Sequence, residues 1–150
     1  MPRTNRLYKR LVAGGFASEV NTYYPVNIDP GLLYFDLTLN PEVSTKAARE
    51  AFFSEIDRIR DSPPSEPEMK VVFNQIKAWH AYENDGIGLQ ALSIGYFERI
   101  QSRRLADSLV ERSLLITPDK VSDIAKHYLG DQSRIIGEYD SVNEGKVSVD

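Results

Sequence analysis

Leu33, Phe35, Leu37 and Leu39 fall on one side of residues 32–39, with Tyr34, Asp36 and Thr38 on the other. Strict two-residue alternation marks a strand with one buried face, and this is the clearest strand in the chain. One candidate precedes it, residues 16–24, which carry β-branched and aromatic side chains in partial alternation and stop at Pro25. Between the two, residues 26–31 read as a turn, in which Asp29-Pro30-Gly31 supplies a fixed φ and then a permissive glycine. Two adjacent strands are marginal in water. The pair therefore needs a layer of helices to lie on, and a sheet built from it wants further strands.

The rest of the chain is mostly helical in pattern. Ser44 is placed to cap a helix running to about Arg60, with Ala48, Phe52, Ile56 and Ile59 on one stripe. After Pro63-Pro64, Ser65-Glu66-Pro67-Glu68 forms a capping box with proline in the first turn. The helix it opens sets Met69, Val72, Phe73, Ile76 and Trp79 along one face. Beyond Asp85-Gly86, residues 87–101 predict a helix presenting Leu89, Leu92, Tyr96 and Ile100, which Gly88 and Gly95 weaken or open to close contact with another helix. Residues 103–115 predict the next, with Leu105, Leu109 and Leu115 inward and Arg103-Arg104 solvated.

Thr117-Pro118-Asp119 opens a last helix with Val121, Ile124, Ala125, Tyr128 and Leu129 predicted inward, closed by Gly130. A short final strand is expected over 135–139, and the polar tail 141–150 is expected to fray. The fold class that follows is α+β, an antiparallel-rich sheet packed against a layer of helices.

At the front, Arg6-Leu7-Tyr8-Lys9-Arg10-Leu11-Val12 has helical spacing, with Leu7 and Leu11 on one stripe and Gly14-Gly15 as its stop. Six residues precede Leu7, too few for a full amphipathic helix, and helices this short are unstable unless packed. The segment reads as the closing turns of a helix whose opening turns are missing, so the expectation is the back part of a larger folding unit. Such a unit exposes a sheet edge and apolar surface, and self-association is expected of it.

Composition narrows the chemistry. A net charge of -4 disfavours nucleic acid and anionic membranes as partners. The chain has no cysteine, which removes disulfides, thiolate metal sites and cysteine nucleophiles together. No apolar stretch approaches transmembrane length.

His80-Ala81-Tyr82-Glu83-Asn84 has the first four positions of the inverted zinc-binding helix motif H-x-x-E-H. The motif needs a second histidine on the same helix face; Asn84 stands there, a far poorer zinc ligand, and His127 is the other histidine of the chain. A free-standing metalloenzyme using His80 and Glu83 would carry stoichiometric zinc. Gly14-Gly15 lacks the preceding strand of a phosphate loop, and Ser93 before Gly95 lacks the flanking glycine of a nucleophile elbow. Glu66 with Glu68, and Asp29 with Asp36, are explained by caps and turns. Tyr23 and Tyr24 can line a peptide groove or serve in cross-strand packing. No active site assembles from these residues, and neither a catalytic nor a metal-ligating residue is assigned.

Five stretches occur in one order and spacing: residues 6–12 above, Asp29-Pro30-Gly31-Leu32, Asn74-Gln75-Ile76-Lys77, Ile116-Thr117-Pro118-Asp119-Lys120-Val121 and Lys126-His127-Tyr128-Leu129. From about Asn5 to Tyr139 the chain resembles the second lobe of the pitrilysin/insulinase family of zinc metallopeptidases, which includes mitochondrial processing peptidase. In that family two similar α+β lobes close around a chamber; the first bears H-x-x-E-H, and the second helps hold the peptide. The resemblance implies that residues 1–140 are a truncated, non-zinc C-terminal lobe, inactive alone, with no cofactor of its own. Zinc is expected in a catalytic lobe or subunit that partners it, and a peptide is the expected substrate, for which Tyr23 and Tyr24 are the candidate contacts. Many second lobes hold the substrate backbone with an arginine and, seven residues later, a tyrosine. Here the matching stretch is one residue shorter and has Val12 and Ser18 at those places, so no catalytic residue is carried over. The alternative is a structural, assembly or peptide-binding module related to processing peptidases but without peptidase activity.

Overall fold

A computed structural model describes residues 5–25, 27–83 and 86–139. The polar tail expected over 141–150 lies outside them. A π-helical turn (Tyr8–Val12) leads into strands β1 (Ala17–Tyr23) and β2 (Tyr34–Leu39). Five helices follow: α1 (Thr45–Asp61), α2 (Glu66–Glu83), α3 (Ile87–Ile100), α4 (Arg103–Leu114) and α5 (Pro118–Tyr128). No described helix is long and apolar enough to cross a membrane. The architecture is α+β, with an antiparallel two-stranded sheet on a helical layer.

The helical stop at Gly14-Gly15 is steric. The Ala13 amide bonds to the Tyr8 carbonyl at 3.0 Å and the Phe16 amide to the Leu11 carbonyl at 2.8 Å, so the turn is widened by one residue. A Cβ on Gly14 would collide with the Arg10 carbonyl oxygen, and Gly15 has φ +79°. Only glycine fits both places. The chain is thereby turned into β1 while Leu7 and Leu11 stay on the core side.

That core is one cluster. Leu7 and Leu11 from the turn, Ala17 and Val20 from β1, and Ala51, Phe52 and Ile56 from α1 are buried together, with Phe35, Leu37 and Leu39 of β2 packed against them. The alternation of β2 is obeyed: Phe35, Leu37 and Leu39 are half-buried, and Tyr34, Asp36 and Thr38 are exposed. Local signals at the helix starts also hold. Ser44 Oγ accepts from the Ala47 amide at 3.2 Å, and Thr117 Oγ1 from the Lys120 amide at 3.3 Å.

Three expectations are corrected. In α5 the buried residues are Ser122 and Ala125, whereas Ile124 and Tyr128 are exposed. Ser122 Oγ donates to the Ile59 carbonyl of α1 at 2.7 Å, and small residues let the two helices approach where the bulkier stripe would hold them apart. In α2 and α3, Val72, Trp79, Leu89, Leu92 and Tyr96 are exposed; Met69 and Phe97 are the buried apolar residues there. Residues 135–139 form no strand. A strand needs a neighbour for its amides, and among the described residues no strand lies beside this segment. It is held instead along α1, with the Arg134 guanidinium 4.0 Å over the Phe53 ring and Glu138 paired to Arg49 at 2.9 Å.

One ion pair fastens the front of the chain to the helices. Arg6 Nε donates to Glu68 Oε1 at 2.7 Å and Nη2 to Oε2 at 2.9 Å, and the same guanidinium reaches the carbonyls of Ser62 and Pro63. Glu68 also accepts from the Ser65 amide at 2.8 Å, which is one half of the capping box; the Ser65 hydroxyl donates to the carboxylate as well. The Arg6 hydrogen bonds, then the Ser65 amide, hold the Glu68 carboxyl at about 2. Because that value lies below the ordinary 4.5, the pair stabilises the fold above about pH 4.5 and the contribution is lost as pH falls towards 2. Solvent reaches both side chains and screens the pair, so Glu68→Gln is expected to lose about 1 kcal/mol at pH 7. In urea titrations the gap between wild type and Glu68→Gln should close by about pH 2. A gap unchanged down to that pH would assign the loss to packing instead.

Candidate peptide-facing surface

The two faces of the hairpin differ in kind because of one bulge. Ala17 pairs with Leu39 and Glu19 with Thr38, so Ser18 is the extra residue, and its Oγ donates to the Thr38 carbonyl at 3.2 Å. The insertion turns both Ala17 and Val20 inward, although they are three apart. From Val20 the alternation is regular, paired Val20 to Leu37, Asn21 to Asp36, Thr22 to Phe35 and Tyr23 to Tyr34. The inner face is taken by α1, where the Phe52 ring stands edge-on to Phe35 with centroids 5.1 Å apart.

The outer face runs from acidic to aromatic. Glu19, Asn21 and Tyr23 stand across from Thr38, Asp36 and Tyr34, and the Tyr23 and Tyr34 rings stack at 6.4 Å with 30° between planes. Both tyrosines are more than half exposed. Tyr24 is exposed too, but it is the first residue past the ladder. The sequence candidates Tyr23 and Tyr24 thus lie in the same region, and the ring that completes the platform is Tyr34. Its outward position was readable from the alternation of β2. Its pairing with Tyr23 was not, because the ten-residue connection 24–33 is too long for the rules that tie hairpin register to turn type. Two stacked phenols offer flat apolar area with hydroxyls at the rim, and the strand edges that no described strand pairs offer backbone groups to an extended segment.

The positions matching the substrate-holding pair are occupied otherwise. Val12 is packed against the core and Ser18 is committed to the bulge. The histidines do not meet: His80 is half-buried on α2, and His127 is exposed on α5, edge-on to Tyr128 at 4.6 Å. The Glu83 side chain and Asn84 lie outside the described residues. Among the described residues no three His, Asp or Glu side chains are grouped to hold a metal, so this donor set does not fit zinc. An open groove of about 610 Å³ along α5, with Lys120, Asp123, Ile124, His127 and Tyr128, is built on one helix and its cap. Groups do not converge on it from opposite sides, as catalysis requires.

Residues 2–76, half of the chain, match the family model of the peptidase M16 inactive domain. Among solved structures, a candidate zinc protease from Bordetella pertussis Tohama I superposes with a TM-score of 0.82 at 21% identity, covering 94% of this chain and 78% of that one. A protease from Helicobacter pylori superposes with a TM-score of 0.81 at 13% identity, covering 89% of this chain and 32% of that one. At these identities the two structures speak for the fold; the chain spans about a third of the Helicobacter pylori protein. Comparison with curated proteins gave no match.

Proposed function

Because the chain belongs to the peptidase M16 family, as its inactive domain, we propose that it is the supporting lobe of a peptidase chamber, spanning residues 1–140. It encloses a peptide against a zinc-bearing companion lobe and contributes to assembly of the pair. The observation that carries the peptide role is the stacked, exposed Tyr23–Tyr34 platform on the one face of the hairpin that α1 leaves open. Tyr23, Tyr34 and Tyr24 contact the peptide, and a free strand edge beside them lets an extended segment add by backbone hydrogen bonds. Bond cleavage belongs to the companion: it supplies the zinc, and the present chain supplies surface and orientation.

The test is a fluorescent unstructured peptide offered to the chain alone and to the chain mixed with an H-x-x-E-H lobe from the same genome. Cleavage is expected only in the mixture. Aromatic contacts at an interface are commonly worth a kilocalorie or more, so Tyr23→Ser with Tyr24→Ser should weaken peptide retention about tenfold. Unchanged retention with intact circular dichroism would remove the tyrosines from the role. Retention without cleavage beside the zinc-bearing lobe would instead favour an assembly or peptide-binding module without peptidase activity.

A further inference from the structure

The charge of the chain is unevenly placed. Aspartate and glutamate number 22, against 18 lysines and arginines. Between Phe16 and Thr45 stand Glu19, Asp29, Asp36 and Glu42 with no lysine, arginine or histidine, so the remainder of the chain carries 18 of each sign and is balanced. The whole excess of negative charge therefore belongs to the hairpin, its connection and the turn that follows. A surface of one sign raises the local concentration of ligands of the other.

Two of the four acids stand on the outer face of the sheet, the side that α1 leaves open. Glu19 pairs with Thr38 and Asp36 with Asn21, so the two residues are diagonal neighbours with Cβ atoms roughly 7 Å apart. Both are exposed. Five acids elsewhere find an arginine: Glu55, Asp57, Glu68, Asp131 and Glu138 each hold one. Among the described residues no cation pairs with Glu19 or Asp36. The Asn21 amide donates to Glu19 Oε1 at 3.0 Å, which orients that carboxylate without neutralising it.

The next rung on this face is Tyr23 with Tyr34. Alternate residues of a strand, which share a face, are about 7 Å apart, and an extended peptide repeats its own side chains at the same interval. A peptide laid along the hairpin with one side chain on the tyrosines therefore brings the residue two positions away to Asp36 and Glu19. A cation there meets two carboxylates, and its stem lies against the phenol rings. We propose that Glu19 and Asp36 determine specificity at this surface, selecting peptides with lysine or arginine two residues from an aromatic or large aliphatic side chain. The proposal rests on the reading of the hairpin as the peptide-holding face. An acidic residue at the same place is disfavoured, so the discrimination works by repulsion as well as attraction.

The test is fluorescence anisotropy of the full chain with three labelled, unstructured peptides, identical except for arginine, glutamine or glutamate two residues from a phenylalanine. The arginine peptide is expected to bind about fivefold more tightly than the glutamine peptide at low salt, the scale of exposed ion pairs, and the glutamate peptide more weakly than either. The preference should shrink at about 0.5 M salt. Glu19→Gln with Asp36→Asn should bring the arginine peptide down to the affinity of the glutamine peptide, and Glu19→Lys with Asp36→Lys should reverse the order. Both variants should keep the circular dichroism of the wild type, because the two side chains are exposed. An arginine preference that survives in both variants would overturn the proposal, since the cation would then be read elsewhere. Equal binding of the three peptides, weakened by Tyr23→Ser with Tyr24→Ser, would overturn it while leaving the peptide-holding hairpin in place. Binding of none of them would remove the hairpin from the peptide role, and the proposal with it.

Discussion

Leu11→Ala is expected to lower the stability of the fold by about 3 kcal/mol, within the range for deleting a buried leucine. Leu11 has 0% exposure in the cluster where the π-helical turn, β1 and α1 meet. Its backbone is fixed as well, since the Leu11 carbonyl accepts the Phe16 amide at 2.8 Å and a Cβ on Gly14 would strike the carbonyl of Arg10. The turn therefore has little freedom to sink into the space a smaller side chain would leave, and the cavity term should stay large. In a chain of this size the loss corresponds to roughly 6–12 °C in melting temperature. Chemical denaturation read by Trp79 fluorescence and by circular dichroism should shift together without a change in slope. A loss below about 1 kcal/mol would mean that the turn collapses onto the hairpin freely and is not a fixed part of the core.

What could be read in advance divides along physical lines. Signals that act within three or four residues were legible: the Ser44 and Thr117 caps, the Ser65–Glu68 contact and the glycine stop after Val12 depend on backbone geometry close by. The alternation of β2 was legible because one packed face imposes it. The packing face of α5 was legible only in part. Hydrophobic periodicity finds Ala125, which is buried, but it also favours Ile124 and Tyr128, which are exposed, and it passes over Ser122, which packs because a small side chain permits a closer helix contact and its hydroxyl finds the Ile59 carbonyl. The bulge at Ser18 was hidden for a similar reason: it is a relation between two strands, and neither strand carries it alone. Residues 135–139 have strand composition, yet a strand exists only when another edge meets it. The candidate surface divides in the same way, with Tyr23 and Tyr24 apparent from composition and Tyr34 joined to them only by register.

Phe52→Ala should be at least as damaging as the loss of Leu11, at about 4 kcal/mol, because Phe52 joins α1 to the hairpin within the buried cluster. Its ring is edge-on to Phe35 on the hairpin and to Phe53 beside it, each at 5.1 Å, and Phe53 in turn carries Arg134. Removing it opens a cavity and deletes two aromatic contacts worth about 0.5–1.5 kcal/mol each beyond burial. A double-mutant cycle with Phe35→Leu and Phe52→Leu separates these effects, since leucine keeps most of the volume while losing the ring geometry. A coupling of about 1 kcal/mol is expected between the two positions. Coupling near zero would mean that Phe52 supports the hairpin by volume alone. The milder variant also links the core to the surface proposed to hold peptide: Phe35 pairs with Thr22, one step from the Tyr23–Tyr34 pair. If the hairpin's seat on α1 sets the attitude of that platform, Phe52→Leu should weaken peptide retention even where the chain remains folded. Retention equal to wild type would show that the tyrosine platform keeps its form without the aromatic support beneath it.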